Sequence, residues 1–551
     1  MDKKHTFTAI TFDGFNDIMQ ESEKLQEIEL YQKEELLEYI DDEHNRDQVV
    51  VLVNDIGDGE KSAIETYWHN DVEGNVESIE RLDNVKAKDF IQSPSTCYLA
   101  TLHSKGFSIL AGKDLSVVRN FTHYGVKEVK FSKGDRYIAS YNGVTNAVNG
   151  SQNIIVWDLL SGQKLRYFPC HSSVIFDLFD WSHDEKYAAS IVRNNETNFL
   201  CVYEAETMSM VIDKSKKRRP VQVEDPQTFK WANHKNEIVF VAYNSQIGQE
   251  KTSAGIVKVP SGDILSWIGL NFLVNECRLQ WEQRDRYILV YFDATLRRRE
   301  QIIQLATPDY RRMQVDVKVL TLSDIEKFVV NVSVDNKGKS FAVFWTKNEK
   351  VQNYSCTYYR IKYNQKKKNI EVKESMFLEN CGYRDIEWSN IDNLFFFKQR
   401  DSIAIGNFED CFAKKKDKFV GILKEVNISS INWTKYDSSG RFIGIYESNI
   451  NKFSVFNSFG LLRFVKTFKT GKRVIWRDVP YVPVDHNVEK KILSADERNN
   501  MKPLIDKYAE ADKQRREKFK DIEKKKRQIR EKKVILINEC SQFNVSSSLR
   551  G

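Results

Sequence analysis

Proline is scarce in this chain, with nine residues in 551, which argues against long extended linkers. No apolar stretch approaches the roughly 18 residues of a membrane-spanning helix, and no signal-peptide core follows Met1. The sequence therefore predicts a soluble, cytoplasmic protein. The eight cysteines, at 97, 170, 201, 277, 356, 381, 411 and 540, include no C-x-x-C pair. Most sit in strand-like runs such as FLCVY and STCYLA and read as reduced, buried thiols.

Motifs for chemistry are also missing. There is no G-x-S-x-G nucleophile elbow, no phosphate-binding G-x-x-x-x-G-K-[ST] and no G-x-G-x-x-G. The nine histidines show neither HxxxH nor HExxH spacing, so no metal site and no cofactor are expected. Cys170 and His171 are adjacent, but neighbours on a strand point to opposite faces and do not meet as nucleophile and base. The expected reading is a protein without catalysis.

What the chain has is aromatic residues, 12% of the total, and a repeat. VKFSKGDRYIAS around Phe131, DWSHDEKYAAS around Trp181, KWANHKNEIVFV around Trp231 and QWEQRDRYILV around Trp281 share an anchor, a turn and an apolar strand. These anchors are spaced by 50 residues, three times in succession. Weaker copies follow at Val334, Trp388, Trp433 and Trp476, and one precedes at Gln92. A period of this length with strands and turns predicts an all-β fold, a degenerate WD-type β-propeller.

Eight blades are expected at roughly 89–120, 126–168, 175–213, 226–267, 274–315, 325–372, 381–416 and 428–468. The anchor strand at Trp476 and the outer strands in 47–82 complete a ninth blade built from both ends, which removes two exposed edges. The predicted propeller spans 47–480. One WD dipeptide occurs, Trp157-Asp158, with its Trp expected between blades and LSGQ as the following turn. The Gly-His element that normally accompanies WD is absent from every blade.

The ends differ in charge. Residues 1–46 form an acidic lead-in, with ten acids against two lysines in 21–43. Residues 481–551 form a tail read as a long basic helix, with fourteen Lys/Arg against seven acids in 501–533. Leu504, Tyr508, Ala511, Phe519, Ile522 and Ile529 make one narrow apolar stripe on it, suited to a partner's groove. Basic clusters also punctuate the repeats. Lys214, Lys216, Lys217, Arg218 and Arg219 lie between two blades; Arg297, Arg298 and Arg299 form a hairpin; Lys366–Lys368 and Lys414, Lys415, Lys416 and Lys418 occupy predicted turns. Such clusters suit the phosphates of a structured RNA held by shape.

The ordered series SPSTCYLATLHSKGFSILAG, FTHYGVKEVKFSKGDRYIASY, NIIVWDLLSGQKLRYF, WSHDEKYAAS, NFLVNECRLQW, KSFAVFW, SSGRFIGIY and IWRDVP resembles the B subunit of eukaryotic translation initiation factor 3. The resemblance runs into the basic tail ending Leu549-Arg550-Gly551 and covers essentially the whole chain. It implies a nine-bladed, non-catalytic scaffold that docks on the small ribosomal subunit, contacting ribosomal RNA and proteins. It further implies that subunits i and g engage the C-terminal helix, over the stripe from Leu504 to Ile529.

One departure stands out. Family members begin with an RNA-recognition motif that binds subunits a and j, whereas Asp2-Lys3-Lys4-His5-Thr6-Phe7 resembles the junction after it. Contacts with subunits a and j thereby lose their usual basis. The alternatives are a propeller like initiation factor 2A, which lacks the acidic lead-in, and a generic WD-repeat adaptor unrelated to ribosomes. A peptidase propeller without its hydrolase half is a third.

Overall fold

The computed structural model describes residues 47–477 apart from short stretches, the longest being 55–61, 70–75, 146–151, 171–178, 213–219, 245–250, 322–327 and 408–421. The lead-in 1–46 and the tail from 478 lie outside the described residues, as does the helix expected there. All regular structure among the described residues is strand, gathered in nine antiparallel sheets. They form the blades of a nine-bladed β-propeller. The innermost strands are Asp89–Gln92, Glu128–Phe131, Asp180–Trp181, Pro226–Trp231, Leu273–Trp281, Phe328–Val334, Asp385–Trp388, Trp433–Tyr436 and Arg473–Arg477. Numbered in that order they open blades 1 to 9, and neighbours such as those of blades 4 and 5 touch.

Burial explains the hydrophobic pattern. The second strands, Tyr98–Leu102, Tyr137–Tyr141, Ser340–Thr346 and Phe442–Glu447, are buried at every position because a blade covers each face. Such strands read as continuous apolar runs rather than as alternation. The outermost strands, Ser116–Thr122 and Leu462–Thr467, are mostly exposed or half-buried.

The repeat seen in the sequence is a register. Each anchor pairs with the residue seven positions on: Gln92 with Leu99, Phe131 with Ile138, Trp181 with Ala188, Trp231 with Ile238, Trp281 with Ile288, Val334 with Phe341 and Trp388 with Phe395. In blade 8 that position belongs to Tyr436, paired with Ile443, and not to Trp433. The hairpin turn decides this, since Asp437 N bonds to Phe442 O as Ser132 N bonds to Tyr137 O.

The aromatic anchors are inserted against the blade before them. Trp181 packs with Tyr137, Ala139 and Tyr141, Trp231 with Ala189 and Ile191, and Trp281 with Val239 and Val241. A buried indole removes roughly 200 Å² from water, about 5 kcal/mol of transfer free energy. In three blades the indole N–H finds a partner about one repeat back, whereas that of Trp181 is buried without one. Trp231 Nε1 donates to Asp180 O at 3.2 Å, Trp281 Nε1 to Lys230 O at 3.3 Å, and Trp388 Nε1 to Ser333 Oγ at 3.0 Å.

The turn after the anchor adds a second tie. Asp135, Glu185 and Asp285 sit four residues past their anchors with φ of 65°, 55° and 54°, a left-handed conformation unfavourable to side chains. Their carboxylates reach back to the preceding blade. Asp135 accepts from Ser93 Oγ at 2.8 Å, Glu185 from Gly134 N at 2.7 Å, and Asp285 from Asn233 N at 2.8 Å and His234 N at 2.7 Å. These charge-assisted bonds offset the strained turn.

Blade 9 closes the ring. Its inner strand, Arg473–Arg477, pairs antiparallel with Asp47–Asn54, so that Trp476 faces Val49 and Arg477 faces Gln48. Trp476 Nε1 donates to Asp47 Oδ2 at 3.0 Å. Arg477 is fully buried at the seam with blade 1. It donates to Thr96 O at 3.3 Å, Cys97 O at 3.0 Å and Gly112 O at 3.2 Å, and to Gln48 Oε1. Arg473 pairs with Asp89 across the same seam.

Several expectations need correction. Blade 3 shows three strands, and its outer edge is met at two separate places: Val211 N bonds to Val202 O and Leu200 N to Val223 O. The outer strand of blade 6 runs to Leu378 and that of blade 7 is Ile422–Asn427, beyond the expected limits of 372 and 416. The Gly-His dipeptide is absent, yet His123 performs its bonding in blade 2. His123 Nδ1 lies 2.8 Å from Ser140 Oγ, which accepts from Trp157 Nε1 at 2.9 Å. His123 Nε2 lies 3.1 Å from Gln152 O, an acceptor only, so the ring carries its proton there. Trp157 meets Phe121 of blade 1 edge-on at 5.2 Å, between blades as expected. The LSGQ turn is also present, with Gly162 N bonded to Asp158 O. Cys97, Cys170, Cys201 and Cys356 are free and buried; Cys277 and Cys381 are free and half-buried.

Two outcomes follow from these contacts. Arg477→Met leaves three carbonyls of blade 1 without their donor and is expected to cost about 3–5 kcal/mol, read as a lowered thermal midpoint. Arg477→Lys recovers only part, because one ammonium cannot span three acceptors. Burial pushes the His123 imidazole down to about 4 from 6.5. The folded state thus resists protonation, and its contribution is complete above pH 6.5 and lost as pH falls towards 4. Thermal unfolding of wild type and His123→Asn at pH 7 and 4.5 is expected to show the gap between them narrowing by about 2 kcal/mol at the lower pH.

Candidate functional site

The strand order sorts the loops onto two rims. In an antiparallel four-strand blade, the turns joining strands one to two and three to four share one rim. The turns joining two to three, and the crossings to the next blade, share the other. The first rim also holds Arg477 and Asp47, where the tail leaves and the lead-in enters.

This sorting divides the basic clusters. Lys366–Lys368 join Ser355–Asn364 to Asn369–Leu378 in blade 6, and Lys414, Lys415, Lys416 and Lys418 join Ser402–Asn407 to Ile422–Asn427 in blade 7. Both connections start and end on the first rim, in adjacent blades. Arg297 and Arg298 join Ile288–Thr295 to Arg299–Asp309 in blade 5, where Arg299 pairs with Thr295. That is the expected hairpin, but it belongs to the second rim. The described flanks of Lys214, Lys216, Lys217, Arg218 and Arg219 both bond to the third strand of blade 3, Val211 N to Val202 O and Leu200 N to Val223 O. Except for Arg299, these cations lie outside the described residues, as do Leu504, Tyr508, Phe519, Ile522 and Ile529.

The described residues extend the first-rim arc. Arg284 is exposed in the first turn of blade 5, and Lys337 and Lys339 flank the equivalent turn of blade 6. In sequence, Arg311 and Arg312 join the third and outer strands of blade 5. The acids of these turns face inward instead. Glu282 is buried and accepts from Arg284 N at 3.0 Å and Arg286 Nη2 at 2.7 Å, the latter also over the Tyr363 ring at 5.2 Å. That bond raises the Arg286 guanidinium above its usual range. Asp335 accepts from Lys339 N at 2.7 Å, and burial pushes its carboxyl up to about 6. Glu282 and Asp335 are thus held by turn amides while Arg284 is exposed, and the Lys366–Lys368 and Lys414–Lys418 runs connect strand ends on the same rim.

Sequence reading missed this arc because rim membership depends on strand order, not on the length of a basic run. Arg311-Arg312 and the single cations of the first turns are unremarkable until the topology aligns them. No group of three or more His, Cys, Asp or Glu side chains suited to a metal ion occurs among the described residues. Among the described residues no helix is long and apolar enough to cross a membrane.

Comparison with known proteins bears on this surface. The B subunit of eukaryotic translation initiation factor 3 from Xenopus laevis is 25% identical over 453 residues, covering 80% of this chain and 60% of its own length. Its counterpart in Lodderomyces elongisporus is 22% identical over 545 residues, covering 88% and 72%, and that of Aspergillus oryzae 24% over 387 residues, covering 63% and 49%. Along most of its length the chain is similar to the B subunit of initiation factor 3. It spans about half to three quarters of the length of these relatives. No protein-family model matches it. A solved structure described as a crystal structure of the eukaryotic initiation factor superposes with a TM-score of 0.60 at 14% identity, over 79% of this chain and all of that one. At that identity the likeness concerns the fold alone, and it agrees with the propeller.

Proposed function

We propose that this chain is a non-catalytic scaffold subunit of translation initiation factor 3 that docks on the small ribosomal subunit during initiation. The observation that carries the proposal is its sequence similarity to the B subunit of that factor along most of the chain. The basic first rim of blades 5 to 7 supports a docking surface for ribosomal RNA. In its described turns Glu282 and Asp335 are bonded by turn amides and Arg284 is exposed, and a surface of cations recognises phosphates without reading bases. Lys414, Lys415 and Lys416 belong to this surface together with Lys366–Lys368. Arg297, Arg298 and Arg299, and the Lys214–Arg219 cluster, make separate contacts.

The tail 481–551 is proposed as the tether. Its stripe of Leu504, Tyr508, Phe519, Ile522 and Ile529 is too thin to sustain an isolated helix, and a partner's groove would supply the missing burial. Subunits i and g are the proposed partners there, and cytoplasmic ribosomes the proposed setting.

Sedimentation through sucrose gradients tests both parts. Reversing Lys366–Lys368 and Lys414, Lys415 and Lys416 to Glu is expected to lower co-sedimentation with the small subunit about tenfold at physiological salt, with Arg297–Arg299 reversed as a milder comparison. Unchanged co-sedimentation contradicts the rim assignment. Deleting 486–551 is expected to leave the ring on the small subunit while subunits i and g are lost. Retention of both partners contradicts the tether.

A further inference from the structure

The opposite rim carries a second surface of different chemistry. The crossing from blade 1 to blade 2, Thr122-His123-Tyr124-Gly125, exposes Tyr124 by 70%, the largest value among the exposed large apolar and aromatic side chains described. This exposure is built in. His123 is buried and pinned by Ser140 and Gln152, so the next residue is driven outward. The crossing is held by His123 N to Lys105 O at 3.1 Å, Gly125 N to Ser104 O at 3.0 Å and Val126 N to His123 O at 3.2 Å. Gly125, at φ 72°, makes the bend that follows the ring.

Two lysines flank the tyrosine. Lys105 is exposed in the neighbouring turn of blade 1, whose carbonyl holds His123 N. Lys127 is exposed on the other side, its N bonded to Tyr141 O at 2.8 Å. The stem of Lys127 crosses Gly143 so closely that a Cβ there would overlap it. Among the described residues neither ammonium group has an ion-pair or side-chain hydrogen-bond partner. Val144, 45% exposed, completes the patch. Glu128, the nearest acid in sequence, opens the next strand and shares its face with Lys130.

We propose that Tyr124, Lys105 and Lys127 form a binding site for single-stranded RNA, in which a base stacks on the Tyr124 ring and the two lysines take the flanking phosphates. An exposed ring on a hydrogen-bonded crossing, between unpartnered cations, is an arrangement that holds an unpaired strand without reading its sequence. A protein-docking surface would instead present an apolar centre with a satisfied rim, and here one aliphatic side chain accompanies the ring. The site lies on the rim opposite the basic arc of blades 5 to 7 and does not depend on ribosome docking.

The test is fluorescence anisotropy with the full chain and a labelled, unstructured 12-nucleotide RNA, beside a duplex of the same sequence. The measurement is made in wild type and in the background with Lys366–Lys368 and Lys414, Lys415 and Lys416, together with Arg284, Arg311, Arg312, Lys337 and Lys339, changed to Glu, which suppresses binding by the other rim. In that background the single strand is expected to bind at least about tenfold tighter than the duplex. Tyr124→Ala is expected to weaken it about 5- to 100-fold, with the melting temperature unchanged, while Tyr124→Trp retains affinity. Lys105→Glu with Lys127→Glu is expected to lower the slope of log affinity against log salt by about 1.4. Single-strand affinity that is unaltered by Tyr124→Ala, or duplex binding as tight as that of the single strand, overturns the proposal. Small-subunit sedimentation of Tyr124→Ala is expected to match wild type, so the two surfaces fail or stand separately.

Discussion

The insertion of the aromatic anchor side chains into the blade before each is the contact on which the remaining structure depends. A four-stranded blade cannot bury both of its faces alone, and the anchor supplies the missing area at the crowded inner end. Where the anchor is Trp231 or Trp281, its indole N–H bonds to a carbonyl about one repeat earlier, on the preceding inner strand. The constancy of the spacing follows from this. An anchor displaced along its strand would lose its pocket, its N–H partner and the carboxylate tie of the following turn together. The same coupling makes closure decisive, since a ring of such blades has no natural first or last member. Arg473–Arg477 resolves this by seating Trp476 against blade 8 and Arg477 against blade 1.

Much of this was legible in the residues, and the exceptions have physical reasons. The anchors Phe131, Trp181, Trp231 and Trp281 announce the register because large aromatic residues recur before turns of constant length. Trp433 misled because it is also aromatic and three residues from Tyr436; only the turn at Asp437–Gly440 shows which of them occupies the anchor position. The second contact on the outer edge of blade 3 was hidden because Val221 and Val223, after Pro220, read as the start of a linker rather than as part of that edge. His123 was hidden because its bonding role needs an acceptor carbonyl and Ser140, which sequence spacing alone does not bring together.

The candidate surfaces were less legible than the core. A basic run can be found by eye, but whether two runs face the same way depends on the parity of the strands they connect. That parity places the ends of the strands joined by Lys366–Lys368 and by Lys414–Lys418 on one rim and the ends of those joined by Arg297 and Arg298 on the other. It also brings Lys105, Tyr124 and Lys127 to one place, although the sequence spreads them over two blades. Among the described residues, Glu282 and Asp335 are drawn into turn bonds on the first rim, and Lys105 and Lys127 are exposed on the second.

The central claim is that Arg473–Arg477 and Asp47–Asn54 are one blade, formed only when the whole ring has closed. Hydrogen–deuterium exchange read by mass spectrometry tests it most directly. The account predicts that amides of 48–52 and 473–477 exchange together, at the slow rate of buried second strands such as Tyr137–Tyr141. Early exchange of 473–477, while 48–52 stay protected, would contradict it.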